Sequence, residues 1–197
     1  EAIQAERQPA YPRLYSIQGA HYAALCLERG AVAEALERGE YMYKSHRKFT
    51  NMSLLTFSYE ALIFALSQNN PTDRHTAFEQ AVAGIRQAGK VEFTPVFLLH
   101  RAQFHYEQQN TADAWRDLTE AEDIIDNCDM VLYKVDAQLL RGHLLLQQNQ
   151  PATDCIHQAA QGIENTGYHR RDAELLLLKA HADPQQRQHY LDLAQQR

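Results

Sequence analysis

Residues 111–126 read TADAWRDLTEAEDIID, and this stretch decides the fold. Ala114, Leu118, Ala121 and Ile125 recur at helical spacing and form one apolar stripe. Asp113, Asp117, Glu120 and Asp123 occupy the other face of the same helix. Thr111 stands where an N-cap is expected, and acids early in a helix are favoured by its dipole.

The same periodicity extends in both directions. Helix breakers punctuate it at Pro12, Gly30, Asn69-Asn70-Pro71, Gly89, Asn110, Asn127, Asn149-Gln150-Pro151, Gly167 and Pro184. Between them the pattern predicts helices over 12–29, 31–48, 52–68, 73–88, 94–109, 111–126, 131–148, 151–165, 171–182 and 184–196. Pro151 is expected in the first turn of its helix, where the missing amide costs nothing. The connections are short, so neighbouring helices should run antiparallel. With only 8 Gly and 6 Pro against 45% hydrophobic residues, the composition suits helices packed on helices.

Small residues mark a repeat. Ala23 precedes Gly30 and Ala35, and Ala102 precedes Gln109 and Ala114, with twelve positions between the small residues of each pair. Ala77, Ala81 and Gly84 mark another helix, and Gly142 is followed by Asp154-Cys155 at the same offset. The marks at 35, 77, 114 and 154 lie 42, 37 and 40 residues apart. Two helices in a period near 40 describe hairpins that bury both faces only by stacking.

In the third pair, Leu98, Ala102, His105, Ala114, Leu118 and Ala121 stand in the order large, small, aromatic, small, large, small. With the shorter match at Ala23, Gly30 and Ala35, they resemble the tetratricopeptide repeat (TPR) superfamily. The period is longer than the standard repeat of about 34 residues. It looks more like the divergent repeats of carboxy-terminal sensor regions in bacterial signalling ATPases and transcription activators. The run Thr166-Gly167-Tyr168-His169-Arg170-Arg171-Asp172 looks like endings of those regions. The resemblance covers residues 12–182 and implies a module that binds proteins or peptides and carries no catalytic residues.

Several classes are disfavoured directly. A net charge of -6 argues against general nucleic-acid binding, which needs a basic surface. No apolar run approaches the roughly 20 residues that span a bilayer, and no secretory signal is present, so a cytoplasmic setting is expected. Cys26, Cys128 and Cys155 are far apart and read as buried small hydrophobes in a reducing compartment. The Asn51-Met52-Ser53 sequon is then a chance match. The first residue, Glu1, suggests a chain processed or cut from a longer one, with 1–197 as a single helical repeat domain. GxGxxG, P-loop and GxSxG signatures are missing, and His100 and His105 are five apart, on different helical faces. No cofactor or metal is expected, and nothing in the sequence pairs two carboxylates in an apolar cleft.

Four regions carry candidate interactions. Gln103, Tyr106, Lys134, His143 and Gln147 project from the first helices of their pairs, where long polar and aromatic side chains suit peptide recognition on a concave face. Asp113–Asp129 holds seven acids against one base, Arg116. There Asp113, Asp117, Glu120 and Asp123 form either a solvated face or a docking surface for a basic partner. Tyr43-Lys44-Ser45-His46-Arg47-Lys48 reads as cations at a helix carboxyl end, with a small nucleic-acid patch as the alternative.

Tyr168-His169-Arg170-Arg171 precedes four leucines that wrap every face of one turn. It is expected to form a hairpin junction with Gly167 in the left-handed position, Asp172 capping the next helix, and the arginines paired with acids of a neighbouring hairpin. The leucine helix should be covered on several sides.

The fold expected is thus all-α: a right-handed superhelical solenoid of about five antiparallel helical hairpins. The function expected is a non-catalytic protein- or peptide-binding module, in the sensor or scaffold region of a bacterial signalling or transcription-regulatory protein. Its partner would be a protein, a peptide or another domain of the same polypeptide. The alternative is a helical domain that senses a small-molecule inducer.

Overall fold

The computed structural model describes the backbone of residues 2–7, 9, 13, 14, 16–46 and 50–196, and the side chains of these except at 4, 16, 17, 28, 42–46 and 50–57. All regular elements among these residues are helical. They are α1 (Ala2–Arg7), α2 (Ser16–Glu28), α3 (Val32–His46), α4 (Thr50–Ser67), α5 (Pro71–Ala88), α6 (Thr94–Glu107), α7 (Thr111–Asn127), α8 (Val131–Gln147), α9 (Thr153–Thr166), α10 (Asp172–Ala182) and α11 (Arg187–Ala194). One-turn 3-10 segments precede α6 (Val91–Phe93) and α10 (His169–Arg171). The all-α expectation holds, and no helix among the described residues is long and apolar enough to cross a membrane. The basic cluster at 43–48 lies outside the described residues except for the backbone of 43–46, which ends α3.

The chain divides into two compact units, Glu1–Phe93 and Thr94–Arg197. In the first, α2 packs on α3 and α4 on α5, and α4 also lies against α2 and α3. Its core mixes small, aliphatic and aromatic residues: Ala20, Ala23, Ala35, Ala77 and Ala81 are buried with Leu62, Ile63, Val82, Ile85, Tyr59 and Phe78. Asn70 caps α5 by accepting from the Thr72 amide (2.9 Å), and Pro71 opens the helix where its missing N–H is harmless.

In the second unit, α6/α7, α8/α9 and α10/α11 pair as successive hairpins, and α8 lies beside both α6 and α10. The turns explain the regularity. Gln109, Asp129 and Asn149 adopt left-handed φ of 59°, 50° and 57°, twenty residues apart. After each, an amide reaches back five residues: Asn110 to His105 (2.9 Å), Met130 to Ile125 (3.0 Å) and Gln150 to Leu145 (2.8 Å). These are the 6→1 bonds that close a helix over a left-handed residue. Gly167 (φ 70°) supports the same bond from Tyr168 to Ile163 (3.2 Å), as expected for the end of α9. In the second unit, helix-plus-turn segments of about twenty residues account for the forty residues between Ala114 and Asp154.

On α7, Ala114, Leu118, Ala121 and Ile125 are buried as the periodicity predicts. Asp117 is also buried, with no exposed surface, so it is not part of a solvated acidic face. The reason is Arg101 of α6, also buried, which grips Asp117 with two hydrogen bonds. Thr111 is not the N-cap: α7 starts at Thr111, and Asn110 precedes it without a side-chain cap, donating instead to Asp113.

The core of α8, α9 and α10 is Val135, Leu139, Ala159, Ile163, Leu175 and Leu178. Two glycines set its spacing. A Cβ on Gly162 of α9 would lie 2.6 Å from a Val135 methyl, and one on Gly142 of α8 would lie 2.7 Å from Leu178. Gly142 thus admits the first helix of the next hairpin rather than its own partner. The leucine run is covered on fewer sides than expected: Leu175 and Leu178 are buried, but Leu177 is 41% exposed. Of the three cysteines, Cys26 and Cys155 are buried as expected, whereas Cys128, in the turn after α7, is exposed.

Candidate functional site

Three helices build one face of the second unit. On α6, Val96, Leu99, His100, Gln103 and Tyr106 fall at helical spacing; on α8 so do Tyr133, Asp136, Leu140, His143 and Gln147. On α10, Glu174, Leu177 and His181 follow the same rule. Because α8 lies between α6 and α10, these stripes adjoin and enclose two cavities.

The first cavity, about 340 Å³, lies toward the start of α6. Its floor is Val96, Leu99 and Leu140; His100, Gln103, Tyr133, Asp136, Arg171 and Glu174 supply its polar groups. Arg171 Nε donates to Asp136 (2.7 Å), and its Nη1 donates to Glu174 (2.9 Å). Tyr168 packs against the core and reaches the second Asp136 oxygen at 3.4 Å. Burial pushes the Asp136 and Glu174 carboxyls up, against the opposing pull of Arg171. Burial, with Arg171 and Arg170 nearby, pushes His100 down to about 4, so its ring is neutral at pH 7.

The hairpin-junction reading holds for Arg171, which ties the start of α10 to α8. Arg170 lies over the Tyr168 ring, 5.3 Å from its centroid. Asp172 is the first residue of α10, with Arg171 in the N-cap position, and its carboxylate stands 3.3 Å from His169 Nδ1.

The second cavity, about 330 Å³, lies toward the other end of the same face. Tyr106, His143 and His181 form a ladder of rings, one from each helix, with centroids 5.8 and 5.7 Å apart. Gln147 and Arg187 add polar groups, and Leu146, Ala180 and Pro184 add apolar surface. Burial, and secondarily His181, pushes His143 down to about 4, and its Nδ1 is buried with no hydrogen-bond partner among the described residues. Gln147 is held by Thr111, whose hydroxyl donates to its carbonyl oxygen at 3.3 Å.

Of the five side chains singled out from sequence, Tyr106, His143 and Gln147 line one cavity, and Gln103 lines the other. Lys134 does not join them. One residue beyond Tyr133 is about 100° around a helix. That turn sends Lys134 toward α9, where it borders a separate cleft with Gln138, Gln158 and Gln161 and pairs with Asp126 at 2.7 Å. The sequence reading missed His100, Tyr133 and Asp136, at helical spacing from groove residues it did select, and His181 on α10, from which it selected none for the groove.

The acidic stretch is largely answered from within. Asp117 is held by Arg101, Asp113 by Arg116 (2.5 Å), Glu122 by Arg141 (2.8 Å) and Asp126 by Lys134. Asp123 stays exposed and Glu120 partly so.

The first unit holds a cavity of about 530 Å³ with apolar walls from Leu36, Ala61, Ile63 and Phe64. Glu40 and Glu60 border it; burial, and then Glu40, pushes Glu60 up to about 7. Two carboxylates therefore meet beside an apolar cavity, an arrangement the sequence did not reveal. No group of three His, Cys, Asp or Glu among the described residues is placed to hold a metal ion. No protein-family model, curated protein or solved structure matches the chain.

Proposed function

We propose that the chain is a non-catalytic module that binds a protein or peptide segment along the α6–α8–α10 face of its second unit. The supporting observation is that face itself: two adjoining cavities, apolar floors, and a rim of Tyr, His and Gln beside the exposed Leu177. Aromatic side chains offer area at low entropic cost, and glutamine amides can bond a peptide backbone. The forty-residue spacing of helical hairpins supports the wider reading: a TPR-like solenoid in the sensor or scaffold region of a bacterial signalling or transcription-regulatory protein. The partner would be a separate protein or another domain of the same polypeptide.

Selection of phage-displayed random heptapeptides on the intact chain tests this reading. Leu177→Asp and Gln103→Ala, both away from the core, should weaken the selected peptides by about tenfold with an unchanged urea midpoint. A selection that yields no binder, or binders indifferent to both variants, would overturn it.

A second reading, a small-molecule sensor, is favoured by the 530 Å³ apolar cavity of the first unit, which falls within the ligand-pocket range of about 300–1,000 Å³. A bound apolar compound whose affinity is lost on Ala61→Trp would support it; binding unaffected by that variant would remove it.

A further inference from the structure

The two cavities differ in charge. The one at the start of α6 contains Asp136 and Glu174 around Arg171. In a chain of net charge -6, none of the described residues lining the other is acidic. Its polar groups can all donate a hydrogen bond: the Tyr106 hydroxyl, the Gln147 amide, the His143 and His181 rings, and the Arg187 guanidinium.

Resting on the peptide-binding reading above, we infer that the cavity between Tyr106, His143, His181 and Arg187 receives the carboxylate of an acidic side chain of the bound segment.

Three observations carry it. First, His143 Nδ1 is buried without a partner, and a buried polar atom left unbonded costs about 1–3 kcal/mol. The nitrogen is closed to water in the empty cavity, so the ring turns for an incoming carboxylate oxygen to answer it, with the nitrogen donating. Second, Arg187 opens α11 at the rim, so a cation and two imidazoles converge on one space. Third, a volume of about 330 Å³ has room for one side chain and its flanking backbone.

The surrounding charges are compatible. From α6, Glu107 adjoins Tyr106, but its carboxylate accepts from Gln103 at 3.3 Å. At the start of α7, Asp113 is taken by Asn110 and Arg116. From α10 and α11 come His181 and Arg187. The ring of His143 is neutral when the cavity is empty, so a carboxylate beside it favours uptake of one proton from solvent onto the imidazole.

The test uses the same random heptapeptide display on the intact chain, and the selected peptides are then made acetylated and amidated to remove terminal charges. Peptides with Asp or Glu at a fixed position should be enriched. Changing that residue to Asn or Gln, or making Arg187→Glu in the protein, should each weaken binding by about tenfold. Titration calorimetry in two buffers of different ionisation enthalpy, near pH 6, should show net proton uptake that His143→Gln abolishes.

Enriched peptides without a fixed acid would overturn this inference and leave the peptide-binding reading intact. So would acidic peptides indifferent to Arg187→Glu. Glutarate binding as tightly as the peptide would overturn it in favour of a small-acid site. No enriched peptide at all would overturn both readings.

Discussion

Arg101 and Asp117 face each other across the α6/α7 hairpin in a two-pronged ion pair, Nε to Oδ2 at 2.7 Å and Nη2 to Oδ1 at 2.8 Å, both side chains buried. His105 Nε2 stands 3.9 Å from the same carboxylate. Removing one partner strands the other in a low-dielectric interior, which costs about 3–5 kcal/mol. Asp117→Asn should therefore lower the unfolding free energy by about that amount. The paired change Arg101→Met with Asp117→Leu should recover most of it, because two apolar side chains need no counter-charge. Urea unfolding of the three proteins reads the result.

Gly162 and Val135 make a second prediction. Val135 is buried and β-branched, so it cannot swing from a Cβ placed 2.6 Å from its methyl. Overpacking costs about 1–3 kcal/mol, and helix propensity returns about 1 kcal/mol on replacing glycine by alanine. Gly162→Ala should thus be net destabilising. In the Val135→Ala background it should become neutral or favourable, and a double-mutant cycle measures that coupling.

His100 and His143 make stability depend on pH. Both have folded values near 4 against an ordinary 6.5, so the folded chain prefers them neutral and the unfolded chain binds more protons between those values. Their contribution is fully present above about pH 6.5 and is lost as the pH falls toward 4, on the order of 3 kcal/mol for each ring. Asp136 and Glu174, with raised folded values, act in the opposite sense: their contribution is lost as the pH rises through those values. Urea midpoints across this range should fall toward acid, and His100→Gln with His143→Gln should flatten the profile.

Thiol chemistry separates the cysteines. Cys128 is exposed, whereas Cys26 and Cys155 are buried with thiols pushed up by burial. A disulfide reagent at neutral pH should therefore modify Cys128 promptly and the other two only after unfolding. Cys128→Ser should remove the fast phase.

The helices were legible because breakers and stripes act locally. Gly167 ends α9 in the left-handed conformation, and the stripe on α7 is buried residue for residue. What stayed hidden depends on which helix lies beside which. Asp117 sits three residues after Ala114, inside the buried arc, yet a carboxylate there reads as surface until Arg101 is known to lie opposite. Lys134 and Tyr133 are consecutive, and only the position of α9 decides that one faces the cavities and the other turns away. The cavities arise from α6, α8 and α10 lying side by side, which hairpin periodicity alone does not encode.

The left-handed residues at 109, 129 and 149 give the second unit interchangeable joints. Residues 111–150, bounded by the joints at 109 and 149, hold α7 and α8; those two helices start two residues after their joints, and α9 starts four after its own. Each joint thus sets where one helix stops through backbone conformation alone, whatever side chain occupies it, which lets Gln, Asp and Asn serve the same place in three successive turns.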